Sequence, residues 1–283
     1  MRVSASMVIY RTDSDEMLQC MECLAADDVL DIWVVDNSPE ATDIAAAISA
    51  SPKLNTVRLR YIHLPHNPGY GTAHNCAIRE SIKEGFDAHL VVNTDIIFKH
   101  GVIYELTSLL APDRSIGQVS PRIVAPDGTQ QYVQRLLPTP LDVFGRRFLP
   151  SSIMKGRNRR YMLTERNADT AADIPYHQGS FMLFSTEALK AVGGFDERFF
   201  MYPEDIDITR RIHRRYRTLY YPGVTVTHAH RASSYKSIKM LWVHCRNMVR
   251  YFNKWGWWHD PERRRVNRET LKSMHLSPRG RRI

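Results

Sequence analysis

Residues 88–98 read AHLVVNTDIIF, an apolar run that breaks on a short polar turn and then resumes. Leu90, Val91 and Val92 show no polar alternation. That is the pattern of a strand buried on both faces, and such strands belong to parallel sheets covered by helices. Residues 31–37, DIWVVDN, repeat it, so two buried strands deliver Asp36 and Asp95 to one sheet edge. Outward from these, strand-like stretches at 5–10 and 57–64 alternate with helix-like stretches at 14–26, 41–49, 71–85 and 101–110. The first helix is opened by Asp13 or Ser14, and the third is stopped by Gly85. This alternation predicts an α/β fold, a doubly wound, mostly parallel sheet with helices on both faces. Ligands of such sheets bind outside the carboxyl ends of the strands. For either Asp alone, capping of the next helix is the competing explanation.

The chain has 283 residues and is 43% hydrophobic, enough for one large domain or two small ones. It shows neither a run of about 18 apolar residues nor an apolar N-terminal segment, so a cytoplasmic protein is expected. Cys20, Cys23, Cys76 and Cys245 are too scattered for a disulfide framework, and a redox or zinc role for Cys20 and Cys23 lacks a second pair. Of the net charge of +9, residues 261–283 supply +6, from eight Lys or Arg against two Glu. A basic C-terminal tail over 261–283 is therefore expected. It is solvated, or binds nucleic acid, or lies on anionic lipid.

Beyond residue 116 the pattern changes. Residues 118–133, QVSPRIVAPDGTQQYV, predict a hairpin around Asp127 and Gly128. Residues 135–172 are irregular and basic, and are expected to form a flexible acceptor-side loop. Then come a strand, SFMLFS (180–185), a short helix, TEALKAV (186–192), and FMYPEDIDITRR (200–211). The last places Glu204, Asp205 and Asp207 within four positions, beside Phe199, Phe200 and Tyr202. An acidic helix start is ordinary by itself, because carboxylates favour the positive end of the helix dipole. After the strand-like TLYYPGVTVTHAH (218–230), a long helix carries Ile238, Leu241, Trp242, Cys245, Met248 or Val249, Phe252 and Trp255 on one stripe. That stripe is predicted to pack on the sheet. Trp255, Trp257 and Trp258, with the basic tail, are candidates for contact with a bilayer surface.

HNPGYGTAHN (66–75) is glycine-rich and opens a helix, so its backbone N–H groups could approach an anion. It is neither G-x-G-x-x-G nor a P-loop, which argues against dinucleotide and ATP sites. Taken in order, VVDNSPE (34–40), HNPGYGTAHN, VVNTD (91–95), GGFDERFFMYPEDIDITRR (193–211) and VTVTHAH (224–230) resemble the family 2 glycosyltransferases of the GT-A fold. The likeness is to the bacterial rhamnosyltransferase-like and galactofuranosyltransferase-like branch, and it spans residues 4–255. One departure is the lack of a Gly before the strand at 218, where Tyr216 stands nearby.

The resemblance implies an inverting, metal-dependent transfer of a sugar, rhamnose in that branch, from a TDP- or UDP-linked donor. The acceptor would be a saccharide or lipid-linked saccharide of cell-surface polysaccharide synthesis, handled at the cytoplasmic membrane face. A single domain over 1–260 is implied, with a nucleotide-binding half at about 1–125 and an acceptor half at about 126–260. Asp36 would bind the nucleotide base, and Tyr10, Thr12, Asn67, Gly69, Gly71 and Asn75 would line the rest of the donor. Asn93 and Asp95 match an Asp-x-Asp-like motif whose last acid holds Mn²⁺ or Mg²⁺, with His228 as second ligand and His230 its competitor. Gly179 and Ser180, in HQGSFMLFS (177–185), would run under the donor sugar, unless they merely form a turn into the strand. Asp205 would be the base, with Glu204 and Tyr202 toward the acceptor, and Asp207 would cap the helix or pair with Arg210 or Arg211.

Elementary chemistry supports such a division of labour. The departing diphosphate gains negative charge, which a cation at Asp95 would stabilise. The attacking hydroxyl loses a proton, for which one carboxylate suffices. A carboxylate with an imidazole accepts Mn²⁺ more comfortably than Mg²⁺. A glycoside hydrolase is the enzymatic rival, but it needs two carboxylates flanking the bond. A nucleic-acid or membrane-binding module built on the tail is the non-enzymatic rival, and no nucleic-acid partner is expected.

Overall fold

An unbroken apolar strand must be covered on both faces, and the first half of the chain is built to do that. In the computed structural model, which describes residues 1–49, 51–229, 238–277 and 280, the order is β1 (Val3–Ile9), α1 (Ser14–Ala26), β2 (Asp31–Asp36), α2 (Ile44–Ser49), β3 (Arg58–His63), α3 (Tyr70–Lys83) and β4 (Ala88–Val92). β5 (Ile96–Phe98), α4 (Val102–Leu110), β6 (Ile116–Val124), β7 (Gln134–Arg135), α5 (Arg146–Phe148), α6 (Ser151–Tyr161), β8 (Ala172–Asp173), β9 (Tyr176–His177) and β10 (Phe181–Ser185) follow. α7 (Thr186–Val192), α8 (Glu204–His213), β11 (Arg217–His228), α9 (Ile238–Trp255) and α10 (Pro261–Ser273) complete the chain.

The main sheet runs β3-β2-β1-β4-β10-β6-β11-β5, with β8 attached to β11. β1 to β4 pair in parallel, as do β6 and β11, whereas β10 runs antiparallel to both of its neighbours. AHLVVNTDIIF is not one strand. β4 lies inside the sheet, β5 lies at the far edge on β11, and Asn93 to Asp95 carry the chain between them. The expected hairpin at 118–133 reduces to a turn at Gly128 and a single bridge from Val124 to Gln130.

One face of the sheet is covered by Met17, Met21 and Leu24 of α1 and Ile103 and Leu106 of α4, against Met7, Val34, Leu90 and Phe181. On the other, Ile78, Leu189, Phe195, Ile208 and Ile212 close over Val91, Met182 and Phe184. Polar groups between β1, β4 and α3 are joined rather than exposed. Ser81 meets Ser4, whose Oγ is 2.8 Å from His89 Nδ1, and Ser6 joins His89 Nε2 to His74 Nδ1. Burial pulls His89 down to about 3, so the network is uncharged at neutral pH.

A third core corrects two expectations. Residues 135–172 are not an irregular loop. They hold a π-helical turn at Leu141–Gly145 followed by α5 and α6, and they bury Leu136, Leu137, Tyr161 and Leu163. Nor are residues 261–273 of the expected tail free, since α10 buries Val266 and Leu271 in that same core, while residues 278, 279 and 281–283 lie outside the described residues. Each apolar side chain sealed this way contributes about 1.5–3 kcal/mol, which the alternation of basic and apolar residues had masked. Asp260 caps α10 through the Arg263 N–H and receives both Nη groups of buried Arg210 at 2.8 Å, locking α10 to α8. The closing helix packs only through its later turns. Met248, Tyr251 and Phe252 are buried, whereas Ile238 and Trp242 are exposed. Trp255 lies under Arg210 and Arg214, and Trp257 stacks on Phe144. Among the described residues, no helix is long and apolar enough to cross a membrane.

Candidate active site

The end of β1, the turn after β4, the entry to β10, the start of α8 and the end of β11 enclose a cleft of about 1200 Å³. One wall is acidic. Asp205 sits in the first turn of α8, where its Oδ1 accepts the Ile206 N–H at 2.8 Å. Its Oδ2 accepts the Gly179 N–H at 3.1 Å and the Tyr176 hydroxyl at 3.4 Å. Burial pushes the Asp205 carboxyl above its usual range, while the backbone donors, Arg135 and Tyr176 oppose that shift. Neighbouring Glu204 is driven up further, by burial and then by the charge of Asp205. Its buried Oε2 has no hydrogen-bond partner. The arrangement is a carboxylate poised to take a proton, beside one that favours keeping its own.

A second wall carries Asp95 and His228, with Asp95 Oδ1 3.3 Å from His228 Nε2. The Gln131 amide donates to the His228 carbonyl at 3.0 Å, which turns its Oε1 toward His228 Nδ1 at 3.2 Å. An Nδ1–H donated there leaves the Nε2 lone pair facing the Asp95 oxygen. Two acceptors converging in this way fit a divalent cation. Among the described residues, no group of three or more His, Cys, Asp or Glu could hold a metal, so these two side chains would leave coordination positions open. His230 lies outside the described residues.

Tyr70 joins the two walls, and nothing in the sequence singled it out. Its hydroxyl lies 2.8 Å from the Gly179 carbonyl and 3.0 Å from Asn93 Oδ1, and its ring stacks edge-on to His74. Gly179 in turn donates to Asp205, so one phenol ties the Asn93–Asp95 turn to the residue that holds the carboxylate. Tyr176 and Arg135 were also missed, because each comes from a two-residue strand too short to show a period. Tyr70 stands inside the motif read for its glycines, and that was its only signal.

A family model described as glycosyltransferase like family 2 matches residues 16–252. The chain belongs to that family. An N-acetylglucosaminyl-diphospho-decaprenol L-rhamnosyltransferase of Mycobacterium tuberculosis is 26% identical over 282 residues, covering 91% of this chain and 86% of the relative. A mannosyltransferase of Pyrobaculum calidifontis, solved with GDP-Man and Mn²⁺, superposes with a TM-score of 0.61 at 17% identity, over 99% of this chain and 72% of that one. GalNAc-T7 with UDP, GalNAc and Mn²⁺ gives 0.55 at 14%, over 80% and 42%. The shared architecture is the GT-A fold.

Within this family 2 glycosyltransferase, the expected site residues divide into two sets. Tyr10, Thr12, Asn93, Asp95, Gly179, Ser180, Tyr202, Glu204, Asp205 and His228 all line the cleft. Asp36, Asn67, Gly69, Gly71 and Asn75 do not. Asp36 is fully buried, and its oxygens accept from Ser38 N, Thr42 N and the Tyr61 hydroxyl. Those donors pull its carboxyl down to about 2. The glycine-rich turn packs closely against protein. A Cβ at Gly69, where φ is +101°, would lie 2.1 Å from the Phe200 carbonyl oxygen, which already accepts the Tyr70 N–H. Gly71 abuts Phe195, and Asn75 clamps the Phe195 backbone in both directions. Asn67 shapes the turn by accepting the Gly69 N–H. Asp207 pairs with Arg211, Lys254 and Trp255 outside the cleft.

Proposed function

We propose that this chain is an inverting, metal-dependent glycosyltransferase that moves a sugar, rhamnose in the first instance, from a nucleotide-sugar donor to a lipid-linked saccharide. The M. tuberculosis relative is named for that acceptor class and sugar, and it matches most of both chains. The observation that carries the mechanism is Asp205, a partly buried, backbone-held carboxylate on one cleft wall, with Asp95 and His228 on another.

In this reading the donor lies between Tyr10, Thr12 and Asp95, with its sugar over Gly179 and Ser180. Asp205 Oδ2, oriented by Gly179 N, accepts the proton of the acceptor hydroxyl as that oxygen attacks the anomeric carbon. Attack opposite the leaving diphosphate inverts configuration without a covalent intermediate. Glu204, kept protonated by burial, donates to the acceptor rather than competing for its proton. Asp95 and His228 would hold the divalent cation, which when bound neutralises charge developing on the diphosphate. Mn²⁺ suits the carboxylate and imidazole pair, and both Mn²⁺-bearing neighbours share the fold.

One domain is the division we favour, with a nucleotide-binding half over about 1–125 and an acceptor half from 126 that takes in α10. The work would be done at the cytoplasmic membrane face.

The test is release of nucleoside diphosphate from TDP-, UDP- and GDP-sugars, with Mn²⁺, Mg²⁺ or chelator, in the presence of lipid-linked saccharide acceptors. Release that needs both metal and acceptor, and is lost in Asp205→Asn, is the expected result. Unchanged turnover in that variant would overturn the assignment of the base.

A further inference from the structure

The acceptor end of the cleft is framed by two elements whose exposed faces neither the core nor the chemistry explains. α5 and α6 supply Arg146 and Arg147 to the cleft, and the first half of α9 supplies Met240, Leu241 and His244. The two elements adjoin, for after burial the charge of Arg147 is what holds His244 below its usual value. Immediately outside the cleft lie large apolar side chains in the open. Phe148 is 63% exposed, Ile153 69%, Trp242 62% and Ile238 86%, with Leu149 and Leu141 also exposed. On a water-facing surface such a grouping is costly and marks an interaction site.

The charge around it is predominantly positive, although Glu165, just beyond α6, pairs with Arg159. Residues 143–160 hold six Lys or Arg and no acid, and α9 contains no acid at all. Asp142, just before them, is buried against Arg157. Arg246 stacks over Trp242 and so joins cation and indole on the same helix. Exposed aromatic and aliphatic side chains with an excess of basic residues around them suit the boundary of an anionic bilayer. There the apolar groups enter the acyl region and the cations meet headgroup phosphates. A protein partner would need paired polar groups at its rim.

We propose that α5, α6 and the N-terminal half of α9 form the surface by which this glycosyltransferase docks on anionic lipid bilayers. The inference rests on the proposed lipid-linked acceptor for its purpose, though not for its test. Docking there sets the mouth of the cleft at headgroup level. The saccharide of an acceptor anchored in the bilayer then reaches Asp205 while its lipid stays in place. Of the sequence's candidates for bilayer contact, Trp255, Trp257 and α10 are taken up by the third core, whereas Trp258 is exposed.

The experiment is co-sedimentation of the full chain with vesicles of phosphatidylcholine alone and of phosphatidylcholine with phosphatidylglycerol. Binding to the anionic vesicles is expected, weakened about ten-fold or more in Phe148→Ser/Ile153→Ser/Trp242→Ser. In that variant, metal-dependent turnover with a short-chain, water-soluble acceptor should stay at the wild-type rate, which shows it folded. Brominated acyl chains should quench tryptophan fluorescence in the wild type, and much less in Trp242→Phe. A wild type that stays in the supernatant with anionic vesicles, or a triple variant that sediments as well as the wild type, would overturn the docking surface. Neither result depends on the donor, so loss of the glycosyl-transfer reading would appear separately, as absent turnover in every variant.

Discussion

The loop after β2 and the turn after β4 are written almost alike, VVDN and VVNTD, yet they do opposite things. At the first, three donors converge on Asp36 and draw its carboxyl down to about 2. At the second, Asp95 faces His228 across 3.3 Å and opens on the cleft. A carboxylate whose lone pairs are filled by its own loop and by Tyr61 of the neighbouring strand is holding that loop. One left to face another acceptor is available to a cation. Asp205 stands between the two, with enough donors to orient it and enough burial to raise its pKa.

The sharpest test of this contrast is Asp205→Asn. Turnover should fall by about 10²–10⁴-fold, while the melting temperature holds or rises. The sign follows from linkage. A carboxyl raised in the folded state favours folding below its unfolded pKa, and that contribution is lost as pH rises through the folded value, so ionised Asp205 burdens the fold at neutral pH. The same shift places the acid limb of the wild-type rate profile above the usual carboxylate range.

Asp95→Asn comes next, with the metal concentration for half-maximal activity expected to rise by about 10²-fold and melting little changed. Metal titration of turnover reads it. An unaltered midpoint would place the cation elsewhere and break the contrast from the other side.

For Asp36→Ala the expectation reverses. Its lowered pKa corresponds to about 2 kcal/mol of stability, present above the unfolded value near 4 and lost as pH falls toward 2. Denaturant unfolding should show that loss, while the folded fraction retains its donor affinity. A large rise in donor KM at unchanged stability would return Asp36 to the nucleotide. Tyr70→Phe should have the smallest effect, about 1 kcal/mol for one hydrogen bond, seen as a fall of roughly five-fold in kcat with donor KM held.

Much of this was legible in the chain. Buried strands show as apolar runs and surface helices as periodic ones, so β1 to β4 with α1 to α4 could be placed from residues alone. Glu204, Asp205 and Asp95 could be named because carboxylates at strand and helix ends are conspicuous. Residues 135–172 could not be read, since two-residue strands and a π-helical turn have no period to detect. Nor could the destination of the glycines at 69 and 71. Glycine signals that something comes close, and only the folded chain shows that Phe200 and Phe195 do so.

By itself, then, the sequence determined that strands alternate with helices through the first 110 residues, where acidic side chains meet the sheet edge, and the family to which the chain belongs. These are matters of local pattern, carried by residues within a few positions of one another. Tertiary structure alone decided which carboxylates are sealed and which are open, that Tyr70 spans the cleft, and that α10 docks one face on the third core. Hydrogen-bond saturation and burial depend on partners up to a hundred or so residues away along the chain. A neighbourhood in sequence cannot report on them.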